Sequence, residues 1–180
     1  MSSLATRIVS VDFEPLDIPL IEPFVIAIGR LDHVRNVLIT VTLENGVIGY
    51  GEAAPLEPIN GENQATVLAT LGSLAPLLAG RDALEWRQLS RELAGLFSMQ
   101  AAARAGLEMA LLDAATKSMR VPMYKFFGGM TDRVETDISI PIVEPDRARE
   151  LAQGITAQGV RFIKIKVGSG LDADIARTLA

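Results

Sequence analysis

Residues 161–170 read RFIKIKVGSG, and the spacing of their apolar and basic side chains predicts a β-strand. Successive side chains of a strand point to opposite faces. One face of this strand carries Ile163, Ile165 and Val167. The other face carries Phe162, Lys164 and Lys166. β-Branched residues suit a buried face. Two ammonium groups side by side repel each other, so the face that carries Lys164 and Lys166, which we call the lysine face, calls for a functional explanation.

The residues around this strand alternate between strand and helix patterns. Residues 134–143, VETDISIPIV, predict another strand, and Pro145 fits the first turn of a helix that runs to about Gly159. Asp172 is predicted to cap a helix that continues to Ala180. This order predicts parallel βα units. Two such units cannot bury a parallel sheet on both faces, and a closed (β/α)₈ barrel needs about 250 residues, so we expect this α/β part to be incomplete.

The first third of the chain predicts an antiparallel sheet. A strand is expected over about 7–18, and residues 36–53 alternate on both sides of Asn45-Gly46, the favoured pair for a type I′ hairpin turn. Residues 19–34 contain apolar side chains without a clean period and predict a long loop. Helices are predicted over about 60–79, 82–97 and 101–119.

Composition limits the classes of function. The chain has 180 residues, 49% hydrophobic and 22% charged, with a formal net charge of −5, which is typical of a globular protein and unlike a basic nucleic-acid-binding surface. It contains no cysteine, which excludes disulfides, thiolate zinc sites and cysteine nucleophiles. No apolar run reaches the ~18 residues of a membrane span, and no signal peptide is recognised. We therefore expect a cytoplasmic protein without nucleic-acid or membrane partners.

The lysine face has two explanations. In a β/α barrel, Lys164 and Lys166 would point into the interior, near the carboxyl ends of the strands, where barrel active sites lie. Desolvation and a like-charged neighbour lower the pKa of a lysine, and such an amine can act as a base near neutral pH. The alternative is a solvated edge strand whose lysines prevent strand pairing with other chains.

Four stretches together resemble the enolase superfamily, in its muconate-lactonizing subgroup, and most closely its dipeptide epimerases. In chain order they are EPFVIAIG, GYGEAAPLEPINGE, ALLDAATKSMRVPMYKFFGG and FIKIKVGSG. The resemblance covers essentially the whole chain, as the N-terminal half of such an enzyme. It implies an α+β capping domain over 1–125, an antiparallel sheet plus helices. The first two βα units of a TIM-type barrel would follow over 126–180, incomplete in this chain.

The resemblance implies abstraction of the proton α to the carboxylate of a small molecule, with a dipeptide of the L-Ala-L-Xaa type as the expected substrate. By resemblance, Lys166 is the acid/base on one face of the α-carbon. Lys164 is an electrostatic partner that holds the carboxylate and favours the neutral form of the Lys166 amine. Mg²⁺ is the implied cofactor. Its ligands and a second catalytic lysine are expected beyond Ala180, with no metal ligand in this chain.

Three further residues are implied to bind substrate. Ser139 aligns with a hydroxyl residue on the first barrel strand; the alternative is a strand serine that bonds locally. Phe24 and Ile26 belong to a segment that, by resemblance, closes over the substrate. A role in the core is the alternative for both.

Other functions remain open at this level. Within the same subgroup they are cycloisomerase (muconate lactonization) and o-succinylbenzoate synthase; outside it, an inactive truncated fragment. A homo-oligomer is also left open. Glu52 is expected to be structural, Asp113 and Lys117 to form an i,i+4 ion pair, and residues 168–170, GSG, to form a βα turn rather than an anion site.

Overall fold

The computed structural model describes residues 5–180, which divide into two compact units. The first unit comprises the described residues up to Ile18 together with Arg35–Met130, and the second comprises Pro19–Val34 together with Thr131–Ala180. The sequence-based division at residue 125 stays a prediction. No helix among these residues combines the length and apolar character needed to cross a bilayer.

The strands are β1 Ile8–Ile26, β2 Gly29–Leu43, β3 Ile48–Ala53, β4 Asp137–Ile140 and β5 Phe162–Ile165. The helices are α1 Glu57–Asn60, α2 Gln64–Leu74, α3 Trp86–Leu96, α4 Ala101–Ser118, α5 Met123–Phe126, α6 Pro145–Ala157 and α7 Leu171–Leu179.

The antiparallel sheet is formed by β1, β2 and β3 in that order. β2 and β3 pair from Val37 opposite Ala53 to Thr42 opposite Ile48. The predicted alternation of β2 is confirmed, because one face of it is buried in the core at Val37, Ile39, Val41 and Leu43. The helix predicted over about 101–119 is α4, and one face of it is buried in the same core, at Ala103, Leu107, Ala110, Leu111 and Ala114.

The hairpin between β2 and β3 lies where the sequence predicted it, but its turn type was predicted wrongly. The Gly46 amide donates to the carbonyl of Leu43 at 2.9 Å, and Gly46 has φ 80°, whereas Asn45 has no positive φ. A type I′ turn needs positive φ at both central residues. The connection is instead a three-residue loop in which glycine alone takes the left-handed conformation. The Asn45 side chain accepts a bond from the Val47 amide at 3.0 Å and stabilises that loop.

Glycines let α4 approach β3 closely. A Cβ built on Gly51 would lie 2.0 Å from the carbonyl oxygen of Gly106, and one built on Gly49 would lie 2.3 Å from that of Ala110. A Cβ on Gly106 would in turn lie 2.7 Å from the amide nitrogen of Ala53. Backbone therefore packs on backbone here, with no room for a methyl group.

The long loop predicted for residues 19–34 was wrong. β1 continues to Ile26 and β2 begins at Gly29, so a two-residue turn joins two long strands. Most side chains between Ile18 and Pro23 are exposed, and Ile21 is fully exposed. Because neither face of this part of β1 is buried, no apolar alternation was present in the sequence to indicate a strand.

In the second unit, β4 and β5 form a two-stranded parallel sheet, as the strand–helix–strand pattern predicted. Asp137 pairs with Phe162, and Ile140 pairs with Ile165. α6 contributes Ala148 and Ile155 to a small core on one face of this pair. The strand and helix residues packed there are Ile138, Ile140, Leu151, Ala152 and Ile163. The fold is thus an antiparallel sheet with helices, followed by two parallel strands with helices.

Several element boundaries differ from the predicted ones. α2 ends at Leu74 and a 3₁₀ turn follows, because Pro76 cannot donate the bond that a continuing helix needs. β4 and β5 are shorter than the predicted strands. The cap predicted at Asp172 was wrong, since α7 starts after Gly170 and Asp172 lies within its first turn.

Candidate functional site

The predicted substrate-binding serine and one predicted lysine lie opposite each other on β4 and β5. The register pairs Ser139 with Lys164, and paired residues of a parallel sheet point to the same face. Ile138 and Ile163, the neighbouring pair, pack toward α6. Ser139 and Lys164 therefore point away from α6. Ser139 of β4 thus lies on the same side of the two strands as the lysine face of β5.

Lys166 lies one residue beyond the end of β5. Its amide donates to the carbonyl of Ile140 at 3.0 Å, which extends the sheet ladder by one bond. Its side chain is half-buried, and Nζ lies 5.9 Å from the centre of the Phe24 ring. The face of an aromatic ring attracts an ammonium group at this distance. The structure thus brings Phe24 and Lys166 together.

The tip of the β1–β2 hairpin contacts the ends of β4 and β5. The carbonyl of Val25 accepts a bond from the Ile142 amide at 3.0 Å. A Cβ built on Gly168 would lie only 2.7 Å from the Cβ of Ala27, so the βα turn fits against the tip through its glycine. Arg147 of α6 forms an ion pair with Glu22. Ile26 is half-buried in this tip.

The turn after Lys166 is held by two residues of α7 that the sequence analysis did not identify. The Asp174 carboxylate accepts bonds from the amides of Gly168 at 2.8 Å and Ser169 at 3.3 Å, and from the Ser169 hydroxyl at 2.9 Å. Arg177 pairs with the same carboxylate at 2.7 Å. The Gly168 amide, followed by the Arg177 guanidinium, holds the pKa of Asp174 well below its usual range.

These contacts decide between the two interpretations of the GSG segment. Amides at the start of a helix attract anions, but the Asp174 carboxylate already accepts from the amides of Gly168 and Ser169. The segment is the predicted βα turn, stabilised from within the chain. The spacing of Asp174 and Arg177, three apart on one helix, was the available sequence signal.

The remaining candidates have local partners. Glu52 on β3 accepts a hydrogen bond from the side chain of Asn36, which is buried. Asp113 and Lys117 form the predicted i,i+4 ion pair. Asp113 also accepts from the Tyr50 amide at 2.9 Å, so this pair links α4 to the edge of β3.

The described residues 5–180 were compared with what a magnesium site requires. Mg²⁺ prefers several oxygen ligands in octahedral geometry. Within residues 5–180, no group of three or more acidic, histidine or cysteine side chains is arranged to hold a metal ion. The location of the metal ligands beyond Ala180 stays a prediction.

Comparison with known proteins identifies the family. Residues 8–128 match the model of the N-terminal domain of mandelate racemase and muconate lactonizing enzymes. The chain therefore belongs to this family of the enolase superfamily, as the four sequence stretches indicated.

Several relatives similar to this chain are dipeptide epimerases. The chain is 40% identical to an aromatic dipeptide epimerase of Herpetosiphon aurantiacus over 179 residues, which is 98% of this chain and 50% of that protein. It is 38% identical to an L-Ala-D/L-amino acid epimerase of Populus trichocarpa, over 97% of this chain and 42% of that protein. The solved dipeptide epimerase of Enterococcus faecalis, complexed with Mg and L-Leu-L-Tyr, superposes with a TM-score of 0.92 at 30% identity, over 96% of this chain and 49% of that one. The chain spans about half the length of the curated relatives it matches.

Proposed function

We propose that this chain provides the capping domain and one catalytic face of a dipeptide epimerase, which removes the proton α to a carboxylate. The observation that carries the proposal is the arrangement of Ser139, Lys164 and Lys166 on one face of β4 and β5, with Phe24 over the Lys166 amine. The printed activities of the relatives in Herpetosiphon aurantiacus and Populus trichocarpa support the reaction class.

Lys166 is the proposed base. Its neutral amine accepts the α-proton, and the electron pair of the broken C–H bond moves into the carboxylate to form an enediolate. Positioned acid/base groups typically contribute about 10²–10⁴-fold to a rate. Lys166 is the better placed of the two lysines, because it lies beyond the carboxyl end of β5, where barrel enzymes carry their chemistry.

Lys164 and Ser139 are proposed to hold the substrate. The Lys164 ammonium supplies a positive charge to the carboxylate on which negative charge develops, and the Ser139 hydroxyl, opposite it in the register, offers a hydrogen bond to the substrate. Phe24, whose ring centre lies 5.9 Å from the Lys166 Nζ, is proposed to close over the substrate. Ile26 is proposed to line the same tip of the hairpin. Epimerization also needs an acid on the opposite face of the α-carbon, which the family resemblance assigns to the sixth barrel strand.

Mg²⁺ belongs to the proposal only through similarity. The Enterococcus faecalis relative is complexed with Mg, whereas the described residues of this chain do not assemble a site for it. A small dipeptide is the proposed partner.

The test is hydrogen exchange at the substrate α-carbon. The chain is joined to the half of the Herpetosiphon aurantiacus relative that it does not cover, which gives a completed chain. Deuterium incorporation from D₂O into L-Ala-L-Xaa dipeptides is followed by NMR, with Xaa aromatic, acidic or basic. We expect exchange at the α-carbon of one residue and accumulation of its epimer. Lys166→Ala should reduce this exchange by about 10²–10⁴-fold.

Lys125→Ala is the matched control, because Lys125 is an exposed lysine of α5 and belongs to the other unit. It should exchange at the unmodified rate. Exchange by Lys166→Ala as fast as by the Lys125→Ala control would show that the lysine face is a solvated edge. Turnover of a muconate or a succinylbenzoate precursor, without dipeptide exchange, would favour the other activities of the subgroup.

A further inference from the structure

We propose that Arg177 and Asp174 are positioning residues for Lys166, joining the carbonyl ends of both parallel strands to the βα turn so that the lysine is held in one place. The functional meaning of this proposal rests on the proposed function of Lys166. Neither residue belongs to the lysine face, and both act through the backbone.

Arg177 is a nearly buried cation whose bonds reach both strand ends. Only 5% of the residue is exposed. Its Nε donates to the carbonyl of Val143, beyond β4, at 2.6 Å, and Nη1 donates to the carbonyl of Lys166, beyond β5, at 3.3 Å. Nη2 donates to the Ser169 hydroxyl at 2.8 Å. Since a guanidinium is planar and rigid, these bonds set the two strand ends in a defined relation.

Asp174 completes the arrangement. Its carboxylate forms an ion pair with Arg177, which lowers the free-energy cost of burying that cation. It also accepts from the amides of Gly168 and Ser169. Gly168 and Gly170 have φ values of 123° and 128°, a region that residues with a side chain rarely adopt. Because glycine also adopts many other backbone conformations, the glycines alone do not fix the conformation of this turn. The carboxylate supplies the order that the glycines do not.

Lys166 needs such support because it lies outside the regular strand. Its N–H is bonded to Ile140 and its C=O is bonded to Arg177, so both of its peptide groups are held. Without Arg177, the carbonyl would be free to rotate, and the turn that follows would lose its contact with the strand end. A base displaced by about 1 Å can lose about 10²-fold in rate.

The first arm of the test needs no activity. The chain contains only four lysines, at positions 117, 125, 164 and 166, so reductive ¹³C-methylation gives few signals, each assignable with a Lys→Arg variant. The Phe24 ring should shift the Lys166 signal, and Phe24→Leu marks its unshifted position. We expect Arg177→Met to move the Lys166 signal toward the Phe24→Leu position, while the Lys117 and Lys125 signals stay in place.

Two further variants make this arm decisive. Arg133→Met is the matched control, since Arg133 is an exposed arginine of the same unit that lies outside β5 and α7. It should leave the Lys166 signal unchanged. Should Arg177→Met fail to fold, Asp174→Asn removes the charge with almost no change of shape and should cause the same displacement. A Lys166 signal that moves no further in either variant than in Arg133→Met overturns the proposal.

The second arm uses the same completed chain, joined to the uncovered half of the Herpetosiphon aurantiacus relative. Arg177→Met should lower kcat for α-proton exchange by about 10–100-fold with KM nearly unchanged, since the carboxylate-binding residues are untouched. Arg177→Lys should restore part of this loss. An unchanged kcat contradicts the proposal. If the unmodified completed chain catalyses no exchange, the proposed function fails, while the NMR arm still decides whether Arg177 and Asp174 position Lys166.

Discussion

Replacing Gly51 by alanine should strongly destabilise the first unit. The added Cβ would lie 2.0 Å from the carbonyl oxygen of Gly106 and 2.7 Å from the amide nitrogen of Ala110, both in the backbone of α4. Ordinary contact needs about 3.5 Å, so α4 must retreat from β3 by roughly 1.5 Å. Overpacking of a core costs about 1–3 kcal/mol. We expect about 3 kcal/mol here, because the obstacle is helix backbone and cannot rotate away.

The measurement is urea unfolding followed by tryptophan fluorescence. Trp86 is the only tryptophan of the chain and lies at the start of α3 in the first unit. Its ring packs edge-to-face against Phe126 and Phe127, with centroids 6.3 Å apart in each pair. With a typical slope of about 2 kcal/mol per molar urea, a loss of 3 kcal/mol lowers the midpoint by about 1.5 M.

Gly95→Ala is a control of opposite sign. Gly95 is in α3, and a Cβ built on it meets no atom within 4 Å. Alanine should therefore stabilise the unit by about 0.4–1 kcal/mol, through the lower conformational entropy of the unfolded chain. The reasoning about close packing would be refuted if Gly51→Ala unfolded within a few tenths of a molar of the unmodified chain.

Three further predictions concern charged groups. Glu62 is 1% exposed and accepts hydrogen bonds from the Ala102 and Ala103 amides at 2.8 and 3.3 Å. Glu62→Gln should therefore lower the free energy of unfolding in a urea titration by about 1–3 kcal/mol. Glu44→Gln, at an exposed position, should change it little. The pKa of Asp174 is lower in the folded chain than that of an ordinary aspartate, about 3.9. Its contribution to the free energy of unfolding is therefore present above about pH 4 and is lost as the pH falls through the folded value. The difference in stability between the unmodified chain and Asp174→Asn should shrink steadily below about pH 4. Because residues 5–180 hold no acidic cluster for a metal, calorimetric titration of the 180-residue chain with Mg²⁺ should show weak binding, and tight stoichiometric binding would contradict this.

The sequence predicted best where one face of an element is buried and the other is not. The alternation in β2 and on either side of Lys164 follows from burial against helices, so a period of two was visible before the structure. The exposed part of β1 around Ile21 had no buried face, and the pattern was absent although the strand is present. Asn45-Gly46 located the hairpin correctly, but the turn type depends on the pairing of Thr42 with Ile48, which turn propensity does not specify.

The candidate site separates in the same way into what side-chain patterns specify and what they do not. Alternation alone places Lys164 and Lys166 on one face, whereas the contact of Lys166 with Phe24 joins residues far apart in the chain and required the structure. Arg177 was missed because its decisive acceptors are the carbonyls of Val143 and Lys166, 34 and 11 residues away. Every residue has a carbonyl, so such a bond leaves no signature in the acceptor's identity. A functional lysine can therefore be recognised from the pattern of its strand. The residues that hold its backbone in place are identified only from the hydrogen bonds of the folded chain.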